Sequence, residues 1–120
     1  MGEIKSYKDL LIWQKGIKIV TMVYHLTNSF PKEELFGLTS QLRRAVSSIP
    51  TNFAEGCGSN SEKEFARYLN IAIASCSEVE YLLLLTFDLK YLNSEIHPIL
   101  ETKDIQIRKQ IYQLRLKLNQ

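Results

Sequence analysis

The sequence predicts an all-α fold, an antiparallel up-down-up-down four-helix bundle that forms a single domain over residues 1–120. Apolar residues recur at helical spacing in four long segments, and no segment shows the alternation of a strand. Only a few residues separate consecutive segments, so neighbouring helices are expected to run antiparallel. No internal repeat, linker or shift in composition divides the 120 residues.

The first predicted helix begins at Ser6, whose hydroxyl can accept a hydrogen bond from the first turn, and it ends near Asn28. Its predicted core stripe consists of Leu10, Trp13, Ile17, Val20 and Tyr24. A second set of apolar residues lies opposite: Leu11, Ile12, Ile19, Met22 and Val23. Because a bundle helix needs only one apolar face, the second face predicts an interface with another chain.

The second predicted helix begins at Pro31, whose missing N–H needs no partner in a first turn, and ends at Gly56. Its core stripe consists of Leu35, Leu38, Leu42, Val46, Ile49 and Phe53. Pro50 lies inside this helix, so a kink is expected there. Three polar residues flank the kink and can bond the backbone groups that it frees: Ser47, Ser48 and Asn52. Glu55 is expected to pair with Arg67 across the turn after Gly56.

The third predicted helix begins with a capping box formed by Ser61 and Glu64, and it runs to about Leu92. Its core stripe consists of Phe65, Leu69, Ala72, Cys76, Val79, Leu83 and Phe87. After residue 80 its polar face is replaced by apolar side chains, which again predicts an interface: Tyr81, Leu84 and Leu85.

The fourth predicted helix follows Ser94, its expected cap, and carries Pro98 in its first turn. Its stripe has near-heptad spacing and consists of Leu100, Ile107, Ile111, Leu114 and Leu118. The pattern therefore supplies the fourth element of the bundle.

Fifteen Lys and Arg against thirteen Asp and Glu give a net charge of +2, which excludes polycation behaviour. No apolar run approaches the roughly 20 residues that a membrane span needs, and the first residues lack a signal-peptide pattern. Cys57 and Cys76 lack the spacing of a disulfide or metal motif, so both are expected to be reduced thiols. We therefore expect a cytoplasmic protein with no membrane association.

The sequence carries no motif of an enzyme. Neither His25 nor His97 follows a Glu at the three-residue spacing of di-iron bundles, and no nucleophile elbow or phosphate-binding loop is present. We therefore expect no catalytic residue, no metal and no cofactor.

Basic residues are the remaining functional candidates. The lysines Lys5, Lys8, Lys15 and Lys18 fall within roughly 140° of arc on the first helix. Arg43 and Arg44 form an isolated basic pair in the second helix. The candidate nucleic-acid-binding residues are Arg43, Arg44, Lys8, Lys15 and Lys18. For each of them taken singly, an ordinary solvated helix face is the more common explanation.

Four stretches carry a family resemblance: residues 10–14 (LLIWQ), 30–38 (FPKEELFGL), 41–56 (QLRRAVSSIPTNFAEG) and 64–69 (EFARYL). Together they resemble the bacterial four-helix bundle proteins encoded by intervening sequences of 23S ribosomal RNA genes. The architectural part of this pattern comprises Ser47, Ser48, Pro50, Asn52, Glu55, Gly56 and Arg67. The accessory protein of diversity-generating retroelements is a relative of that family with the same fold.

The resemblance implies a homopentameric ring, and the relative is similar to a basic nucleic-acid-binding scaffold that partners a reverse transcriptase. Two departures are present. Ser59-Asn60 stands where the family commonly has Arg, which removes a positive charge, and Ala74-Ser75-Cys76 stands where it commonly has Gly-Ser-Leu. The first hypothesis is a non-enzymatic oligomeric bundle that binds RNA or DNA or assists a nucleic-acid enzyme. The alternative is a structural or protein-interaction ring with no nucleic-acid role.

Overall fold

The computed structural model describes residues 10–118, and they form a four-helix bundle. The helices are α1 (Leu11–Thr27), α2 (Leu38–Cys57), α3 (Glu62–Asp88) and α4 (Ile96–Leu116), with a short 3-10 helix, Lys32–Glu34, before α2. Each helix packs on two neighbours in the cyclic order α1, α2, α3, α4, and no strand occurs between residues 10 and 118. The all-α prediction is confirmed. The predicted start of the first helix is wrong, because α1 begins at Leu11 and the backbone of Leu10 before it is extended. Ser6 itself lies outside the described residues.

The core lies between the four helices, and the predicted stripes of α2, α3 and α4 line it, except for Leu35, which precedes α2 and is 48% exposed. The fully buried members of these stripes include Leu42, Val46, Ile49, Phe53, Phe65, Leu69, Leu83, Leu100, Ile107 and Ile111. Their burial removes the apolar faces of three helices from water, which is the main favourable term in folding. By length and composition alone α3 could also cross a membrane. In the bundle, 44% of its most apolar stretch is buried.

The predicted core face of α1 is wrong, because the fully buried residues of α1 come from the opposite face. Leu10, Trp13 and Val20 of the predicted face are only partly buried against the core. The opposite face was predicted to contact another chain, and that prediction is therefore wrong for its buried members. Ile19 and Val23 are fully buried, whereas Ile17 and Tyr24 are 37% and 43% exposed. Gly16 lies on the buried face, and a Cβ atom there would lie 3.3 Å from Cβ of Pro50 in α2. The missing side chain lets the two helices approach closely, so α1 turns its glycine face toward α2.

Helix α2 begins at Leu38 rather than at Pro31, because Glu34 caps it from outside. The Leu38 N–H donates to Oε1 of Glu34 at 3.2 Å, and the Tyr91 hydroxyl donates to Oε2 of the same carboxylate at 3.0 Å. The chain between the 3-10 helix and α2 is therefore held in a turn. This turn leaves Leu35 and Phe36 outside any helix and exposed.

Pro50 lies within an uninterrupted α2, so the segment around it is a helix and not a loop. The Asn52 side chain donates to the Ser48 carbonyl and to Ser48 Oγ, both at 2.8 Å. It thus bonds the carbonyl of Ser48 and not that of Val46, which has lost its i+4 donor at Pro50. Neither Ser47 nor Ser48 donates to the Val46 carbonyl, so the prediction that these polar side chains bond the freed carbonyl is wrong. The bend angle at Pro50 stays a prediction.

A chain of hydrogen bonds continues from α2 into α3. The hydroxyls of Ser48 and Ser75 lie 2.8 Å apart, and Ser75 Oγ also lies 3.0 Å from the Ile71 carbonyl, to which it donates. One arrangement of the protons satisfies all of these contacts: Asn52 donates to Ser48, Ser48 to Ser75 and Ser75 to the Ile71 carbonyl. The hydrogen bonds connect α2 to α3.

The turn between α2 and α3 depends on Gly56. A Cβ atom at Gly56 would lie 2.9 Å from the Phe65 ring and 3.0 Å from Cβ of Tyr68. The predicted Glu55–Arg67 pair does not form. Arg67 instead pairs with Glu64, one turn before it on α3, at 3.1 Å, and this hydrogen bond lowers the pKa of the Glu64 carboxyl. Glu64 and Arg67 are three residues apart on one helix, so they can pair without ordering the turn that separates Arg67 from Glu55.

The caps of the last two helices follow local rules. Ser61 Oγ accepts from the Glu64 N–H at 3.1 Å, as predicted. Ser94 is not the cap of α4, because Asn93 Oδ1 accepts from the N–H groups of Glu95 and Ile96 at 2.9 and 2.8 Å. An Asn side chain reaches backbone donors two and three residues ahead, so it takes over the capping role.

Asp104 of α4 is a charged residue type within the core. Its side chain is fully buried, and among the described residues neither carboxyl oxygen accepts from a nitrogen or oxygen donor. A polar group beside it is the Cys76 thiol. Burial raises the pKa of this carboxyl to about 7, although the nearby Arg108 opposes the shift; Glu80 adds to it, and the interaction with the Cys76 thiol slightly lowers the pKa. Arg108 itself pairs with Glu80 of α3 at 2.7 Å. The position was detectable in the sequence, because residue 104 falls between Leu100 and Ile107 in the apolar stripe.

The close packing at Gly56 predicts a loss of stability for Gly56→Ala. The methyl group would meet the buried Phe65 ring, and overpacking costs about 1–3 kcal/mol, against a helix-propensity gain of roughly 1 kcal/mol. We expect a net loss of about 1 kcal/mol in the free energy of unfolding, measured by urea denaturation. Gly58→Ala is the matched control, because a Cβ there would meet only atoms at 3.8 Å. Equal stability of the two variants would contradict the packing argument.

The buried Asp104 predicts a pH-dependent stability that Asp104→Asn removes. The native carboxyl keeps its proton between about pH 4 and 7, where the unfolded chain has lost it, so the wild-type free energy of unfolding decreases as pH rises through this range. A difference of one bound proton between the native and unfolded states changes the free energy of unfolding by at most about 1.4 kcal/mol per pH unit. We expect the stability of the variant relative to wild type to rise by about 2 kcal/mol from pH 5 to pH 8 in urea denaturation. Parallel pH curves for the two proteins would refute this assignment.

Candidate nucleic-acid interface

Arg43, a predicted phosphate contact, is bound to the carboxyl-terminal end of α1. Its guanidinium donates to Thr27 Oγ1 at 2.8 Å, to Asn28 Oδ1 at 3.1 Å and to the Tyr24 carbonyl at 3.4 Å. It also lies 4.8 Å from the centroid of the Tyr24 ring. A cation is favoured where a helix ends in unpaired carbonyls, so these contacts fasten α2 to α1. The side chain therefore has a structural task, and phosphate contact by it stays a prediction.

Arg44, the next residue, is exposed and forms no ion pair within the described part of the chain. It lines a groove of about 480 Å³ between the end of α1 and the first half of α2. The groove is lined by Tyr24, Leu35, Phe36, Thr39, Ser40, Arg43, Arg44 and Ser47, with no carboxylate among them. A smaller depression on the other side of Arg44 includes Glu78 of α3.

Two of the three candidate lysines lie together at the junction of α1 and α4. Lys15 and Lys18 line a depression of about 150 Å³ with Lys103, and no carboxylate lines it. Lys8 lies outside the described residues. The sequence did not single out Lys103, because one lysine on a solvated helix is ordinary and its proximity depends on how α4 packs on α1. The lysines and the arginine groove are separate basic sites.

The thiols and the described metal-ligating residues form no reactive centre. Burial raises the pKa of the Cys57 thiol to about 11 and that of Cys76 still further, so both are poor nucleophiles at neutral pH. No group of three or more His, Cys, Asp or Glu side chains in residues 10–118 could hold a metal ion. His97 stacks on the ring of Phe87, with the centroids 4.5 Å apart.

Comparison with known proteins gives the chain a family. The model of the 23S rRNA-intervening sequence protein family matches residues 8–113. The 1.70 Å crystal structure of a protein with unknown function from the S23 ribosomal protein family of Bacteroides thetaiotaomicron VPI-5482 matches with a TM-score of 0.82. Its sequence is 24% identical, and the match covers 88% of this chain and 95% of that chain, so the likeness shows the fold alone. No protein of curated function matches the sequence. Because the family model covers almost the whole bundle, the chain belongs to the 23S rRNA-intervening sequence protein family.

Proposed function

We propose that the protein is a non-enzymatic, homo-oligomeric helical scaffold that binds RNA or DNA, alone or as an accessory to a nucleic-acid enzyme such as a reverse transcriptase. The observation that carries this proposal is the composition of the two basic depressions. Lysines line one and arginines the other, and neither is lined by a carboxylate. Phosphate groups are the anions that such surfaces attract without reading a base sequence.

Self-association strengthens the proposal, because it repeats a weak site. One chain carries a net charge of only +2, whereas each further subunit adds the same charge and another copy of both depressions. Once a nucleic acid is bound at one site, its effective concentration at the sites of the neighbouring subunits is high, so the overall affinity of the oligomer increases. Exposed apolar side chains on α3 supply a surface for assembly: Tyr81 is 61% exposed and Leu84 is 49% exposed.

The same apolar surface favours a second candidate function, a protein-interaction or structural ring with no nucleic-acid role. On that hypothesis the lysines and arginines are ordinary solvated side chains. The two candidates share the assembly and differ in nucleic-acid binding, so each needs its own experiment.

The exposed α3 surface predicts a stable homo-oligomer, which we propose to be a pentamer. Light scattering after gel filtration is expected to give five times the 13.9 kDa mass of one chain. Leu84→Glu is expected to yield smaller species, because it places a charge in the proposed interface. Ile99→Glu is the control, since Ile99 of α4 is 47% exposed and lies outside the Tyr81–Leu84 surface. A wild-type mass near 13.9 kDa at micromolar concentration would refute the assembly.

Phosphate binding predicts an affinity that falls steeply with salt. The logarithm of the association constant should decrease linearly with the logarithm of the salt concentration, by roughly 0.7 to 0.9 per phosphate contact. We expect Arg44→Glu to weaken binding and to reduce this slope, measured by fluorescence anisotropy on labelled RNA and DNA at several salt concentrations. Arg43→Glu is avoided, because it would break the contacts that hold the end of α1.

Lys63→Glu is the charge-matched control for that measurement. It changes the net charge by the same amount, on an exposed position in the first turn of α3 where a carboxylate suits the helix dipole. Equal weakening by both variants would mean that overall charge, and not the groove, controls binding. Absence of wild-type binding at 150 mM salt would refute the nucleic-acid function and leave the interaction ring.

A further inference from the structure

The groove beside Arg44 carries an aromatic residue that the proposed phosphate contacts do not explain. Phe36 is 94% exposed, far more than any other large apolar side chain in residues 10–118. Leu35 beside it is 48% exposed. A phenyl ring that stands in water at the edge of a groove is unfavourable unless a partner covers it.

The turn that carries Phe36 is held in place on both sides. The Gly37 N–H donates to the Glu34 carbonyl at 2.9 Å, and the Leu38 N–H donates to the Glu34 carboxylate. Tyr91, from the connection between α3 and α4, holds the same carboxylate. Phe36 is therefore presented on a fixed turn, and a partner that binds it need not order the loop first.

The rest of the groove combines a second aromatic ring with free polar groups. The Arg43 guanidinium lies over the ring of Tyr24, and its hydrogen bond to Thr27 at the end of α1 holds the guanidinium in that position. Ser40 and Ser47 line the groove, and their hydroxyls form no hydrogen bond with other described residues. These hydroxyls are available as donors and acceptors to a ligand.

The charges around the groove favour an anionic ligand. Arg43 and Arg44 are its charged lining residues, whereas Glu33 and Glu34 of the preceding 3-10 helix are not among the residues that line it. The Glu34 carboxylate faces Leu38 and Tyr91, from which it accepts hydrogen bonds. Glu78 lies in the separate depression on the far side of Arg44. A ligand that pairs with this groove thus needs a flat apolar face, hydrogen-bonding groups and a negative charge.

A nucleotide in a single strand meets all three requirements. We propose that this groove binds single-stranded nucleic acid, with a base stacked on Phe36 and the adjoining phosphate on Arg44. Stacking needs a base whose face is free, which a duplex does not offer. The inference rests on the proposed nucleic-acid function and adds to it the strand type and the residue that selects it. A neighbouring subunit of the proposed oligomer and an acidic peptide with aromatic residues are the competing occupants. If a subunit covers Phe36, Phe36→Ala would reduce the oligomer mass in light scattering, and that result would overturn the stacking site.

The test compares labelled twelve-nucleotide single strands of RNA and DNA with a hairpin duplex, on wild type and on Phe36→Ala. Removal of one stacking ring weakens binding by on the order of ten-fold. We therefore expect Phe36→Ala to bind the single strands about ten-fold more weakly than wild type, and the duplex with unchanged affinity. Phe36→Trp should restore binding, because it keeps a ring that can stack. Phe36 is almost fully exposed, so these substitutions leave the core intact.

Tyr112→Ala is the matched control. Tyr112 is 49% exposed on α4, and it too has basic neighbours, Arg108 and Lys109. It should bind single strands as wild type does. Ultraviolet irradiation should cross-link a strand that contains 5-iodouracil to Phe36 or Tyr24. Mass spectrometry of the digested protein identifies the cross-linked residue.

The outcomes separate this inference from the function on which it rests. Wild-type binding that is unchanged by Phe36→Ala, or equally weakened by Tyr112→Ala, would overturn the stacking site and leave the proposed function standing. Equal affinity for the duplex and the single strands would overturn the strand preference. Failure of wild type to bind any of the three probes would refute both proposals.

Discussion

The bundle depends on how it accommodates a proline in the middle of a core helix. The Pro50 ring is buried, and it fits against α1 because Gly16 has no side chain at the contact. On the α3 side, the hydrogen bonds that run from Asn52 through Ser48 to Ser75 connect the same stretch of α2 to its other neighbour. Three helices are thus aligned at one level. Any other face of α1 would bring a side chain against the proline ring.

Helix packing gives the two adjacent arginines, Arg43 and Arg44, different roles. Consecutive residues on a helix are about 100° apart, so Arg43 and Arg44 cannot point the same way. Arg43 faces the end of α1, whose carbonyls attract its charge, and it holds the helix in place. Arg44 faces solvent and keeps its charge free. The groove between them has a rigid wall from the first and an available cation from the second.

The exposed aromatic next to that cation lies in the turn before α2. Had α2 begun at Pro31, Leu35 and Phe36 would have belonged to a helix. The Glu34 carboxylate instead accepts from Leu38 and from Tyr91, which lies 57 residues further along the chain, and the residues between stay in a turn. This long-range hydrogen bond thus ties the turn before α2, and the candidate binding surface on it, to the connection between α3 and α4.

The sequence by itself determined the four helices, the core stripes of α2, α3 and α4, and the Ser61 cap, because helical periodicity and capping depend on residues within a few positions of one another. It was wrong about the core face of α1, since both of its faces are apolar and only the Gly16–Pro50 contact chooses between them. The sequence likewise paired Glu55 with Arg67 and treated Arg43 as free. Tertiary structure decided these points, along with the proximity of Lys15 and Lys18 to Lys103, because each depends on residues that are distant in sequence and meet only when the helices pack.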